Sequence, residues 1–77
     1  MEKHISDFMV HVDETLEPQQ QCELEDFVRE QEGVVSACMS VENPHLLTVT
    51  YDSDRGHVSD IVHHIKDRGL HASAIGL

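Results

Sequence analysis

The spacing of apolar residues changes period along this chain, and the order of those changes leaves few topologies open. From Ile5 to Val12, Phe8, Val10 and Val12 alternate with Asp7, Met9 and His11, the period of two that marks a half-buried strand. Leu24, Phe27 and Val28 then recur at i, i+3 and i+4, a short helical stripe. Val35 to Val41 alternates again, with Ala37, Met39 and Val41 on one side and Ser36, Cys38 and Ser40 on the other. After an Asn43-Pro44 turn, Leu47, Val49 and Tyr51 form the inward side of a third strand. Val58, Ile61, Val62 and Ile65 make the most regular helical stripe, and Leu70 to Ile75 is long enough for one last short strand.

Punctuating residues agree with this reading. Pro18 suits the first turn of a helix, where its missing N–H costs nothing, and Glu17 sits favourably at the positive end of that helix. Gly33 is placed to end the first helix in a left-handed conformation, Ser53 or Asp54 to cap the second, and Gly69 to close it. The order β-α-β-β-α-β follows, in a single domain spanning residues 1–77. Right-handed crossovers bring both helices onto one face of a four-stranded antiparallel sheet of order 4-1-3-2, a ferredoxin-like two-layer α+β sandwich. Alternation then leaves Met9, His11, Ser36, Cys38, Ser40, Leu46, Thr48, Thr50 and His71 on the open face.

Charge narrows the function. Fifteen Asp and Glu against five Lys and Arg give a formal charge of −10. Such a surface repels phosphate backbones and anionic lipid, which argues against nucleic-acid binding and membrane association and favours cations and basic partners. No apolar run approaches the roughly 18 residues that span a bilayer. MEKHISDF has neither the apolar core nor the cleavage site of a secretory signal, so a cytoplasmic protein is expected. No Gly-rich phosphate loop and no nucleophile beside a base can be read, and no enzyme is expected.

Three stretches, EGVVSACMSVE, LLTVTYDSD and IVHHIKDRGLHASAI, cover much of the chain with patterning similar to one known family. The chain resembles the heavy-metal-associated domains, small copper and mercury carriers and the N-terminal domains of metal-pumping ATPases, with Leu70 where an aromatic is usual. The resemblance implies the ferredoxin-like fold and a role in metal transport. The family carries a methionine and two cysteines, separated by two residues, between its first strand and first helix. Counted back from Gly33, those positions hold Thr15, Glu17 and Gln20. Cuprous and mercuric ions need soft thiolates, which a carboxylate and an amide do not supply. The family's dithiolate chemistry is therefore not expected here.

Neither cysteine substitutes. Cys22 lies about 160° round the helix from Leu24 and points away from the sheet, while Cys38 projects from the open face, too far away for a shared ion or a disulfide. Histidine offers more, with seven in the chain. On the second helix His57, Asp60 and His64 fall within about 60° of one another, and imidazole with carboxylate suits Zn²⁺, Ni²⁺ or Cu²⁺. The plainer reading of that group is a solvated helix flank. Glu17 and Gln20 are oxygen-ligand candidates at the old metal corner, with Asp13 and Glu14 nearby, or simply first-turn residues. His11 and His71, on strands that are neighbours in this topology, can pair across the open face if register allows. His4, His45 and His63 are expected to face solvent.

Two functions emerge. One is a small metal-handling domain that binds a divalent metal weakly through His57, Asp60, His64, Glu17 or Gln20. The other is a metal-independent interaction module, docking a protein partner or a second copy through its open sheet face or an edge strand.

Overall fold

The computed structural model describes residues 4–75. β1 (Ile5–Val12), α1 (Pro18–Arg29), β2 (Val34–Met39), β3 (Leu46–Asp52), α2 (Val58–Lys66) and β4 (Ala72–Ile75) follow in that order. The strands form one antiparallel sheet ordered β2-β3-β1-β4. This is the 4-1-3-2 order read from the other side, and the ferredoxin-like arrangement that the sequence predicts. α1 packs along β2, α2 along β4, and the two helices touch.

Alternation builds the core. Phe8, Val10 and Val12 point to the helices, and register sets Phe8 and Ala37 on either side of Val49, and Val10 and Met39 on either side of Leu47. Leu24 and Val28 from α1 and Ile61, Val62 and Ile65 from α2 close the layer above them. Each buried side chain of this size gains about 1.5–3 kcal/mol on leaving water. No polar or charged side chain is buried among the described residues, so apolar burial against chain entropy decides stability.

Gly33 does two jobs that no other residue can. Its φ of +89° is left-handed, and a Cβ there would lie 2.9 Å from the backbone of Arg55 and Gly56. α1 itself ends earlier, at Arg29 with Glu30 as its C-cap, so Gly33 turns the chain into β2 rather than closing the helix directly.

Three boundaries differ from the sequence reading. β2 stops at Met39, and Val41 is 99% exposed rather than inward. The reason is the turn: the Ser40 N–H donates to the Leu46 carbonyl at 2.8 Å, and the Asn43 N–H to Ser40 Oγ at 3.2 Å, which lifts Val41 off the sheet. α2 begins at Val58 with His57, not Ser53 or Asp54, at its N-cap position. Residues 52–56 are occupied by a turn of their own, with the Arg55 and Gly56 N–H groups on the Asp52 carbonyl and Ser53 Oγ donating to the His4 carbonyl. β4 begins at Ala72, because the chain arriving from α2 leaves His71 outside the ladder.

The β2 edge is not bare. The Met39 N–H donates to Glu25 Oε2 at 2.7 Å, and Arg29 Nη2 donates to the Ala37 carbonyl at 2.9 Å, so two α1 side chains occupy backbone groups that face away from β3.

Candidate metal centre

The corner between β1 and α1 is built as a helix start. Glu17 is the N-cap of α1, Pro18 fills the first helical position, and Glu17 and Gln20 form a capping box. Its Gln20 half is a hydrogen bond of 2.8 Å from the Glu17 N–H to Gln20 Oε1. Gln21 Nε2 donates to the Leu16 carbonyl at 3.0 Å and ties the loop to the same turn. The Gln20 side chain thus satisfies a backbone group of the helix end, and Glu17 holds the N-cap position.

The α2 candidates separate. His57 and Asp60 are exposed. His64 turns toward α1 and lies flat on Phe27, with ring centroids 4.0 Å apart and planes 3° from parallel. Its Nε2 donates to the Phe27 carbonyl at 3.3 Å, and the Arg68 guanidinium stands 4.8 Å from the centre of the Phe27 ring. Phe27 is therefore half-buried under a polar lid that joins the helices, rather than a full core member. Among the described residues no three His, Cys, Asp or Glu side chains converge on one point as an ion-holding group.

His11 and His71 do not pair. The β1–β4 register sets Ser73 opposite His11 and Ala72 opposite Val12. His71 lies just beyond, its carbonyl accepting the Asp13 N–H at 2.9 Å. Its side chain instead meets Glu14: ring Nδ1 donates to Oε2 at 2.6 Å, and the His71 backbone N–H reaches Oε1 at 2.9 Å. The hydrogen bond from His71 holds the Glu14 carboxyl below its ordinary range, and the same contact holds the His71 imidazole above its own.

His11 finds another partner. Its ring stacks against that of His45, with centroids 5.9 Å apart and planes at 17°. His45 therefore does not simply face solvent. Its Nδ1 donates to the Val12 carbonyl at 2.9 Å, and its own carbonyl accepts the Val12 N–H at 2.8 Å, so residue 45 grips the end of β1 at two points. His11 Nδ1 donates to Asp13 Oδ1 at 3.0 Å. A signal for this contact was present: β3 lies beside β1, and the residue leading into β3 must then pass the end of β1. His4, on Asp54 at 2.8 Å, and His63, 3.7 Å from Asp67, are exposed as expected. Cys22 and Cys38 are both free and exposed.

Three solved structures place this geometry among known proteins. A copper binding domain from HMA7, a P-type ATPase, matches with a TM-score of 0.82 and 20% identity over 91% of this chain and 93% of that one. The oxidized MerP of Ralstonia metallidurans CH34 matches at 0.82 and 17%, over 94% and 99%. A CopZ metallochaperone matches at 0.79 and 25%, over 88% and 100%. The chain has the fold of these carrier domains. No family model matches it, and no curated protein does. At such identities the shared feature is the backbone arrangement, and the carrier fold here has an acid and an amide at the corner. No helix among the described residues is long and apolar enough to cross a membrane.

Proposed function

We propose that this is a small metal-handling domain that takes a borderline divalent cation, Zn²⁺, Cu²⁺ or Ni²⁺, through imidazole and carboxylate groups, without catalysing a reaction. The observation that carries the reading is the carrier fold with its corner closed by a capping box instead of thiolates. Soft monovalent cargo has no dithiolate to bind there, while imidazoles on a surface of formal charge −10 suit harder divalent ions. Among the candidate ligands, His57 at the N-cap of α2 and Asp60 in its first turn stay exposed, whereas Glu17 and Gln20 would have to give up the cap to ligate. The expected affinity is accordingly weak. Titration with each metal, followed by two-dimensional amide NMR, tests it: localised shifts near His residues support the reading, and no shift at millimolar metal removes it.

A second reading is favoured by the sheet edges. Side chains of α1 cover β2, but β4 runs beside an open groove lined by Val58, Val62, Lys66 and Ala74, with Ile75 39% exposed. Strand addition there would make the domain a docking or dimerising module independent of metal. Sedimentation at several concentrations checks the dimer, and a strict monomer leaves only docking to a different protein.

A further inference from the structure

We infer that the outer edge of β4 takes an extended segment of a different protein as an added antiparallel strand, and that it selects an aliphatic residue followed two positions later by an acid. The inference rests on the docking reading above and is independent of any metal.

Register shows which backbone groups are on offer. The Asp13 N–H donates to the His71 carbonyl at 2.9 Å, and the ladder continues with His11 opposite Ser73 and Met9 opposite Ile75. In an antiparallel pair, alternate residues spend both N–H and C=O on the partner strand, and the residues between them point the other way. Ala72 and Ala74 therefore turn their backbone groups away from β1, toward the groove beside α2. Among the described residues no side chain holds them, in contrast to β2, where Glu25 and Arg29 do.

The same register places side chains. Ala72 belongs to the core and Ala74 packs against it, so both lie on the helix side of the sheet. Residues of an added strand that stand opposite them share that side. The one opposite Ala74 enters a trough walled by Val58 and Val62, which suits an aliphatic group. In an antiparallel strand the residue two positions later stands opposite Ala72, where Lys66 borders the groove.

Charge selects the occupant. Arg29 is paired with Asp26, Arg55 with Glu32, and Arg68 lies on Phe27, whereas Lys66 has no acidic partner among the described residues. Asp13 borders the far end of the groove but already accepts from His11. An incoming carboxylate answers Lys66. A second copy suits the edge poorly. It brings another formal charge of −10, and β4 paired to β4 about Ser73 sets the Lys66 side chains of both copies at one seam.

The probe is acetyl-Thr-Ile-Thr-Asp-Thr-amide, added at up to millimolar concentration to the intact chain and followed by two-dimensional amide NMR. The Ala72 and Ala74 amides should shift, and this peptide should bind more tightly than one with Lys in place of Asp. The overall charge of the chain favours the Lys peptide, so a local cation must produce that order. Lys66 is exposed, and Lys66→Glu should weaken the Asp peptide by about two- to fivefold, the range of an exposed ion pair, and reverse the order. N-methylation of the Ile, whose N–H meets the Ala74 carbonyl, should abolish the shifts. N-methylation of the central Thr, whose N–H points away from β4, should not. Equal binding of the two peptides, or equal loss from either N-methyl group, overturns the inference. Shifts at Ala72 and Ala74 on concentrating the chain without peptide also overturn it, making a second copy the occupant and leaving the docking reading intact. No shift with any peptide, together with a strict monomer by sedimentation, removes both.

Discussion

Replacing Ile65 with Ala removes three carbons from a fully buried position on α2. At about 0.8 kcal/mol per buried methylene the transfer loss alone is about 2.4 kcal/mol, and the unfilled cavity raises the expected total to about 2–5 kcal/mol. A chain of 77 residues has a total stability of about 4–12 kcal/mol, so this one truncation removes a large part of it. With the small urea dependence of so short a chain, the midpoint of unfolding should fall by more than about 1 M. Two residues earlier, His63 is 77% exposed in its side chain, and His63→Ala should change stability by less than about 0.5 kcal/mol. Urea unfolding followed by circular dichroism measures both. A loss at His63 comparable to that at Ile65 would mean that α2 presents a different face to the sheet, and the burial argument would fail.

Three further outcomes are expected. Gly33→Ala should cost about 1–3 kcal/mol through its left-handed φ, with the added misfit of a Cβ 2.9 Å from the Arg55–Gly56 backbone; thermal unfolding reads it, and an unchanged melting temperature refutes it. Gln20→Ala should cost about 0.5–1 kcal/mol by opening one half of the capping box; thermal unfolding reads this too, and an unchanged melting temperature refutes it. The Glu14–His71 pair contributes a pH dependence with two limbs. Glu14 lies below its ordinary 4.5, so its contribution is lost as pH falls through the lowered value; His71 lies above its ordinary 6.5, so its contribution is lost as pH rises through the raised value. The pair is fully stabilising between those two ordinary values, and in Glu14→Gln the His71 titration seen by imidazole proton NMR should return toward 6.5. A His71 midpoint that does not move refutes the contact.

Much of the fold was legible because apolar period is a local property that survives into the packed state. Phe8, Val10 and Val12, and Val58, Ile61, Val62 and Ile65, announce both element type and buried side from spacing alone. Boundaries were less legible because hydrogen bonds decide them. Val41 continues the alternation of β2, yet the Ser40–Leu46 bond has already closed the turn. Ser53 and Asp54 have the chemistry of helix caps but are taken by His4 and by the 52–56 turn. The site was least legible. His45 looks like any turn residue until β3 is laid against β1, and His64 looks like part of a polar flank until α1 brings Phe27 beneath it. Both contacts join residues far apart in sequence, where spacing carries no information.

The two α1 side chains on β2 also limit how far this sheet can be extended. Molecules joined strand to strand through β4 would each turn a guarded flank outward, where Glu25 and Arg29 already hold the backbone groups an incoming chain would seek. Growth of that kind stops after one step and yields a closed pair rather than a fibre.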